Sequence, residues 1–346
     1  MTTYTWSALL QQLINGRSLT AEQAQSLMSG WLAEAISPEL SGAILAAWQC
    51  KGVDAIELAA IAGVLQDSSL GQNFPIDSSG AIPLLDTCGT GGDGANTFNI
   101  STGVAFVAAS AGVKVAKHGN RAVSSRSGSA DVLEALGINL SAPTAKIHEA
   151  IAAVGITFLF APHWHPAMKA VAPIRKSLGI RTIFNLIGPL VNPLLPTTQI
   201  LGVYDRSLIK TVAEALKILG RSTAVVLHSR EGMDEAGLAD ITDIAFLRND
   251  GTVTIETINP HELGLAYATL DDLKGGTVGE NTEILKKLLQ GQGTIAQRDC
   301  LALNAGIALH VAGICDRWED GINIARSIID SGEAWQKLES LASFLK

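Results

Sequence analysis

The chain has 346 residues, 47% hydrophobic and 17% charged, which suits one large domain or a large and a small one and excludes a disordered polyelectrolyte. With 25 Lys+Arg against 33 Asp+Glu the net charge is −8, so a nucleic-acid ligand, which selects basic surfaces, is disfavoured, whereas a small anion can still bind where a few cations and backbone N–H groups converge. Scattered cysteines (Cys50, Cys88, Cys300, Cys315), no leader-like N-terminus and no apolar run near the ~20 residues that span a bilayer lead to the expectation of a cytoplasmic, membrane-free protein without disulfides.

Up to about residue 70 the sequence reads as helix only. Leu9, Leu10, Leu13 and Ile14 recur at helical spacing. Thr20-Ala21-Glu22-Gln23 has the form of a capping box, and Ser37 places a capping hydroxyl before Pro38 at a first helical position. Asp54 opens a further helix carrying Ile56, Leu58, Ile61 and Val64. The polar stretch 68–83 reads as a linker. Beyond it, apolar runs predict strands at 81–85, 113–116, 156–160, 198–203, 224–227 and 253–258, with helices at 103–110, 130–136, 145–154 and 208–219 between them. Such alternation predicts an α/β domain with a mainly parallel central sheet flanked by helices, added to a small all-helical subdomain. From Asp299 to Val311, and again from Trp318 onward, the pattern returns to helix.

Four segments carry candidate chemistry. Gly89-Thr90-Gly91-Gly92-Asp93-Gly94 follows the first strand; its glycines let a ligand approach the backbone, and successive N–H groups in such a loop form a nest for anionic oxygens. Ser101 or Thr102 is placed to cap the next helix, whose N-terminus adds donors. The loop is neither a Walker A motif nor a Rossmann fingerprint. Lys117-His118-Gly119-Asn120-Arg121-Ala122-Val123-Ser124-Ser125, at the carboxyl end of the second expected strand, supplies cations, an amide and hydroxyls suited to a pyrophosphate, and Gly128-Ser129-Ala130-Asp131 opens another helix. Asp234 and Glu235 are adjacent carboxylates suited to hydrated Mg²⁺, a hard cation. Arg175 or Arg181 offers a guanidinium fork for an acidic substrate.

Taken singly, each segment has an ordinary structural explanation: a tight turn, a polar surface loop, a solvated acidic pair, a surface arginine. Two anion-suited loops following strands of one domain shift the balance toward a phosphate site. His163-Trp164-His165 is rejected as a metal site, because His at i, i+2 share a face only in a strand and no further ligand lies nearby. Hydrolase chemistry lacks its G-x-S-x-G context.

In this order the four segments resemble the anthranilate phosphoribosyltransferase family over essentially the whole chain. The glycine-rich loop is shared with pyrimidine nucleoside phosphorylases, but 117–125 and the run 179–193 are more specific. The resemblance implies a helical subdomain of residues 1–75, completed by about 166–193, and an α/β domain of 76–165 and 194–346, with the active site between them and a homodimer formed through the helical part. It implies transfer of a phosphoribosyl group to anthranilate, with Mg²⁺ as cofactor at two ions per subunit. Gly89, Gly92, Asp93, Thr97, Asn99, Ile100, Ser101 and Thr102, then Lys117 through Ser125 and Ser129, are the implied phosphoribosyl pyrophosphate contacts. Ser101, Asp234 and Glu235 are the implied Mg²⁺ ligands, and Gly89, Asn120 and Arg175 the implied anthranilate contacts. Met233 stands where the family pattern has Leu. The rival readings are a pyrimidine nucleoside phosphorylase and a non-catalytic relative that binds nucleic acid; the Asp234-Glu235 pair argues against the first and the acidic balance against the second.

Overall fold

The computed structural model describes residues 4–73, 83–122 and 126–346. Four helices come first: α1 (Trp6–Ile14), α2 (Ala21–Leu32), α3 (Pro38–Lys51) and α4 (Ala55–Asp67). Their caps are local in origin. Thr20 with Gln23 and Asp54 with Glu57 close reciprocal capping boxes, and the Ser37 hydroxyl accepts from Leu40 N ahead of Pro38. The α/β part follows as β1 (Leu84–Gly89), α5 (Ile100–Ser110), β2 (Lys114–Gly119), α6 (Ser129–Ala135), α7 (Thr144–Ala153) and β3 (Ile156–Phe160). Short helices α8 (Ala161–Trp164), α9 (Ala172–Leu178) and α10 (Phe184–Ile187) lead into β4 (Thr198–Gly202), α11 (Ile209–Ile218) and β5 (Thr223–Ser229). The chain ends with β6 (Thr242–Leu247), β7 (Val253–Ile258), α12 (Val278–Leu289), α13 (Ile295–Val311), α14 (Trp318–Ser331) and α15 (Glu333–Leu345).

The sheet has seven strands in the order β3-β2-β1-β4-β5-β6-β7. Pairings from β3 to β5 are parallel, and β6 and β7 add antiparallel. Alternate strand residues serve opposite cores: Ile200, Val225 and Leu227 pack with α5 and α13, while Leu201, Ala224 and Val226 pack with α11 and the N-terminal helices. Burial on both faces explains why the central strands read as continuous apolar runs. Val171, Ile183, Phe184, Leu186, Ile187, Leu190 and Val191 join the core of the N-terminal helices.

Three expectations need correction. Strands β1 and β2 run further than their apolar residues suggest, so that Gly89, Lys117, His118 and Gly119 lie within strands; pairing with β4 and β3 continues through them, because backbone hydrogen bonding sets a strand's end. Residues 81 and 82 of the first expected strand lie outside the described residues. Strand β6 was not anticipated: all six of its residues are buried, but the first two, Thr242 and Asp243, are polar and shorten its apolar run. Helix α5 starts at Ile100 with Asn99 as its N-cap and no capping side chain, so neither Ser101 nor Thr102 caps it.

Glu57 is fully buried within the helical part and accepts from Leu19 N (2.7 Å), Trp48 Nε1 (2.9 Å), Lys51 Nζ (2.8 Å) and Asp54 N (3.0 Å). Glu57→Ala strands a buried ammonium, an indole N–H and two amides; a loss of about 3–5 kcal/mol in urea unfolding is expected. A loss below about 1 kcal/mol would show that water replaces the carboxylate.

Candidate active site

Gly89 and Gly202 are register partners at the carboxyl ends of β1 and β4, the adjacent strands where the order 3-2-1-4-5 reverses direction. Open α/β sheets bind ligands in the crevice at such a point. Both glycines make room for one residue: a Cβ on Gly202 would lie 1.5 Å from the Asp234 carbonyl oxygen, and one on Gly89 would lie 2.2 Å from Asp234 Oδ2. The glycine-rich loop closes over that residue. Gly91 N donates to Asp234 Oδ2 (2.7 Å), and Asp234 N donates to Asp93 Oδ2 (3.1 Å), with Gly91, Gly92 and Gly94 all at positive φ.

One carboxylate oxygen each from Asp93, Asp234 and Glu235 lie within 4.8 Å of one another. Asp93 was expected only as a phosphoribosyl pyrophosphate contact, so its place beside the acidic pair is new. Thr87, Ser101, Asp234, Glu235 and Asn304 line one small cavity of about 20 Å³. Burial pushes the Asp234 carboxyl up, aided by the charge of Asp93, and pushes Glu235 well up, aided by Asp234. Lys117, buried in β2, donates from Nζ to Thr87 O and to Ser101 Oγ (3.1 Å); burial lowers its pKa while Asp86, first among its charged neighbours, opposes the shift. Three confined carboxylates are a cluster of hard oxygen donors that suits a divalent cation, which would relieve their repulsion.

The remaining expected residues fall around this centre in different ways. Ile100 and Thr102 are fully buried in the first turn of α5, and Ile100 lines the same small cavity. Thr97 forms a bridge with Lys274, and Asn99 Oδ1 accepts from Asn281 Nδ2 (3.0 Å) and Ser127 Oγ (3.4 Å). His118 points to the opposite side of β2 from Lys117: Nδ1 meets Gly188 O (3.2 Å), and burial, with His165 nearby, pushes its pKa down to about 3. It is a neutral imidazole at physiological pH. Gly119 admits Ser129, whose Oγ a Cβ there would meet at 2.3 Å. Asn120 is exposed, and its carbonyl accepts from Ala130 N (3.2 Å). Arg121 turns to Asp131 (2.9 Å) and Glu134 (2.7 Å), and Ala122 N donates to Asp131 Oδ2 (3.1 Å). Val123, Ser124 and Ser125 lie outside the described residues.

The two candidate arginines separate. Arg181 donates to Gly92 O and stacks 4.3 Å from the Tyr204 ring centroid, which commits it to the glycine-rich loop. Arg175 on α9 is half-buried over Phe184, forms no ion pair among the described residues, and is lowered in pKa by desolvation. Of the two, it is the guanidinium without a hydrogen bond or ion pair among the described residues. His163 and Trp164 belong to the short helix α8, and His165 packs against His118, their rings 5.4 Å apart.

Two asparagines escaped the sequence reading. Asn281 in the first turn of α12 ties Asn99 to Ser127, and Asn304 in the middle of α13 bonds both backbone groups of Ala236. Nothing local marks the first. The second lies in the stretch from Asp299 to Val311 that reads as helix, but no chemistry could be attached to it without its partner.

The Glycosyl transferase family, a/b domain, matches residues 81–335, and the Glycosyl transferase family, helical bundle domain, matches residues 7–69. A protein of Trichodesmium erythraeum named anthranilate phosphoribosyltransferase is 59% identical over 347 aligned residues, covering 98% of this chain and 97% of that one. This chain belongs to the anthranilate phosphoribosyltransferase family. The crystal structure of the family member from Thermus thermophilus superposes with a TM-score of 0.88 at 40% identity, covering 97% of this chain and 99% of that one. The Saccharomyces cerevisiae enzyme, solved in complex with phosphoribosyl pyrophosphate and Mg, gives 0.86 at 26% identity over 98% of this chain and 97% of that one. Met233, where the resemblance led to the expectation of Leu, is fully buried in the main core, a place that an unbranched thioether fills as readily.

Proposed function

We propose that this chain transfers the 5-phosphoribosyl group from phosphoribosyl pyrophosphate to the amine of anthranilate, releasing pyrophosphate, in a Mg²⁺-dependent step of tryptophan biosynthesis. The observation that carries the reading is the meeting of the glycine-rich loop, the uncapped start of α5, Lys117 and three carboxylates at the sheet's switch point. Membership of the family supplies the substrates. The proposal includes a helical subdomain of 1–75 completed by 166–193, an α/β domain formed by the rest, two Mg²⁺ per subunit, a cytoplasmic homodimer joined through the helical part, and the site residues assigned above. Among the described residues no helix is long and apolar enough to cross a membrane.

In the reaction, the C1–O bond to pyrophosphate breaks and carries its electron pair to the leaving diphosphate, the amine lone pair forms the C1–N bond, and the nitrogen, now cationic and strongly acidic, gives its proton to water. The aromatic amine is neutral near pH 7 and brings its own lone pair, so no strong base is needed. The N–H groups of Gly92 and Asp93, not committed as those of Thr90 and Gly91 are to Gly202 and Asp234, and the start of α5 hold phosphate oxygens, and Lys117 fixes the floor beneath them through Thr87 and Ser101. Asp234 and Glu235, with Asp93 and Ser101 beside them, would hold the cation. Mg²⁺ bound there supplies charge neutralisation for the departing diphosphate. Arg175 holds the anthranilate carboxylate, and the Phe184 to Gly188 segment connects it to His118. Catalysis rests on positioning two anions and on preorganised donors for the leaving group.

The test follows the loss of anthranilate fluorescence with phosphoribosyl pyrophosphate, with and without Mg²⁺, beside a thymidine phosphorolysis assay. Consumption of anthranilate that requires both is expected; phosphorolysis in its place would favour the nucleoside phosphorylase reading. Arg175→Ala is expected to raise the KM for anthranilate about 10- to 100-fold, the worth of a charge-assisted hydrogen bond of ~1.5–3 kcal/mol, with a smaller change in kcat. An unchanged KM would place the carboxylate elsewhere.

A further inference from the structure

The segment carrying Asp234 and Glu235 crosses from β5 to β6, and two contacts from distant parts of the chain hold it on either side of Glu235. On the near side, Asp234 N donates to Asp93 Oδ2 at 3.1 Å. On the far side stands Asn304. Its Oδ1 accepts from Ala236 N (2.9 Å), and its Nδ2 donates to Ala236 O (2.8 Å) and to Cys300 O (2.9 Å). Both amide N–H groups and the amide oxygen are thereby in use. The Ala236 N–H belongs to the peptide unit that also carries the Glu235 carbonyl, so this clamp sets the plane of the backbone leaving Glu235.

Asn304 is 5% exposed in the middle of α13, where an asparagine is a poor helix former and a buried amide is costly unless fully bonded. Leu301, Leu303, Ala305 and Ile307 surround it in sequence, all buried and apolar. Core packing alone would be served by another leucine. The amide also lines the same cavity as Ser101, Asp234 and Glu235. No other common side chain of this length both donates to and accepts from one residue's backbone: aspartate lacks the donors, leucine has neither, and glutamine is one methylene longer.

We infer that Asn304 is a positioning residue for the metal carboxylates, acting through the Ala236 backbone to hold Glu235 aimed at Asp234 and Asp93. The inference rests on the proposed Mg²⁺ role of that cluster but on neither organic substrate. Groups that orient metal ligands from behind are worth about 10- to 100-fold in metal affinity when removed.

The experiment titrates Mn²⁺, as a paramagnetic substitute for Mg²⁺, onto the full-length protein with and without phosphoribosyl pyrophosphate, and reads bound metal by water-proton relaxation. Asn304→Leu keeps the branched heavy-atom outline and removes the clamp; its Mn²⁺ dissociation constant should rise about 10- to 100-fold. Asn304→Ala serves the same purpose if the leucine variant does not fold. Leu309→Ala, a packing loss on the same helix, should lower the melting temperature and leave Mn²⁺ affinity unchanged. A folded Asn304 variant binding Mn²⁺ within twofold of wild type would overturn the inference, as would a wild-type protein that binds no Mn²⁺ under either condition. Normal Mn²⁺ binding by a wild-type protein that does not consume anthranilate would instead overturn the substrate assignment and leave the role of Asn304 standing.

Discussion

Replacing Asp234 by Asn and Glu235 by Gln together is expected to lower kcat/KM by about 10³-fold and to flatten the response to Mg²⁺. Removing one preorganised charge-stabilising group from an active site costs about 10²–10³-fold, and this double change removes two of three clustered carboxylates. The amides keep the side-chain shapes and leave the Gly91 N–H facing an oxygen, so the fold is retained. The same variant should lose the pH dependence of Mg²⁺ binding. Burial and neighbouring carboxylates raise the pKa of both groups, so the metal-free folded state binds protons more tightly than the unfolded chain does. That linkage makes the metal-free wild type more stable as pH falls through the raised range. Protons and Mg²⁺ compete for the same oxygens, so the gain in melting temperature on adding Mg²⁺ should be larger near pH ~8 than near pH ~6. Thermal melts at both pH values and a Mg²⁺ titration of the rate provide the check. A double mutant with wild-type metal dependence would exclude the pair as ligands.

The second large effect is expected from a single methyl group. Gly202→Ala places a Cβ 1.5 Å from the carbonyl oxygen of Asp234, a backbone atom that cannot rotate away. Retreat is opposed on several sides, since Gly91 and Asp93 hold Asp234 and Asn304 holds Ala236. Overpacking of this kind costs about 1–3 kcal/mol or more. Displacing the carboxylates by about 1 Å is worth a further ~10²-fold in rate. Gly63→Ala is the matching control: it lies inside α4, a Cβ there meets nothing within 4 Å, and a gain of about 0.5–1 kcal/mol is expected from helix propensity. Gly202→Ala with wild-type rate and melting temperature would show that the Asp234 segment is free to shift.

The N-terminal helices were readable because a cap is a conversation between residues three apart: Thr20 with Gln23, Asp54 with Glu57, Ser37 with Leu40. The parallel strands announced themselves as apolar β-branched runs. Strand β6 did not, because its first two residues, Thr242 and Asp243, are polar although buried; the better signal was Asn249-Asp250-Gly251 before Val253, where Gly251 takes φ +79° and Arg248 N donates to Thr252 O (2.9 Å) across the hairpin. The phosphate-suited loops and the acidic pair were likewise legible as residue types, since glycine, lysine and paired carboxylates advertise their chemistry locally.

By itself the sequence determined the layer architecture, the starts of α2, α3 and α4 and which segments carry anion- and cation-suited groups, all of which follow from spacings of a few residues. Only the tertiary structure decided that Asp93 joins Asp234 and Glu235, that Arg175 and not Arg181 is left unpaired, and that Asn281 bonds Asn99 and Asn304 bonds Ala236. Asp93 and Asp234 stand 141 residues apart, and what brings them together is the parallel register that sets Gly89 beside Gly202. Register of that kind depends on backbone pairing and on which faces are buried across the whole sheet, quantities that no local window of residues contains.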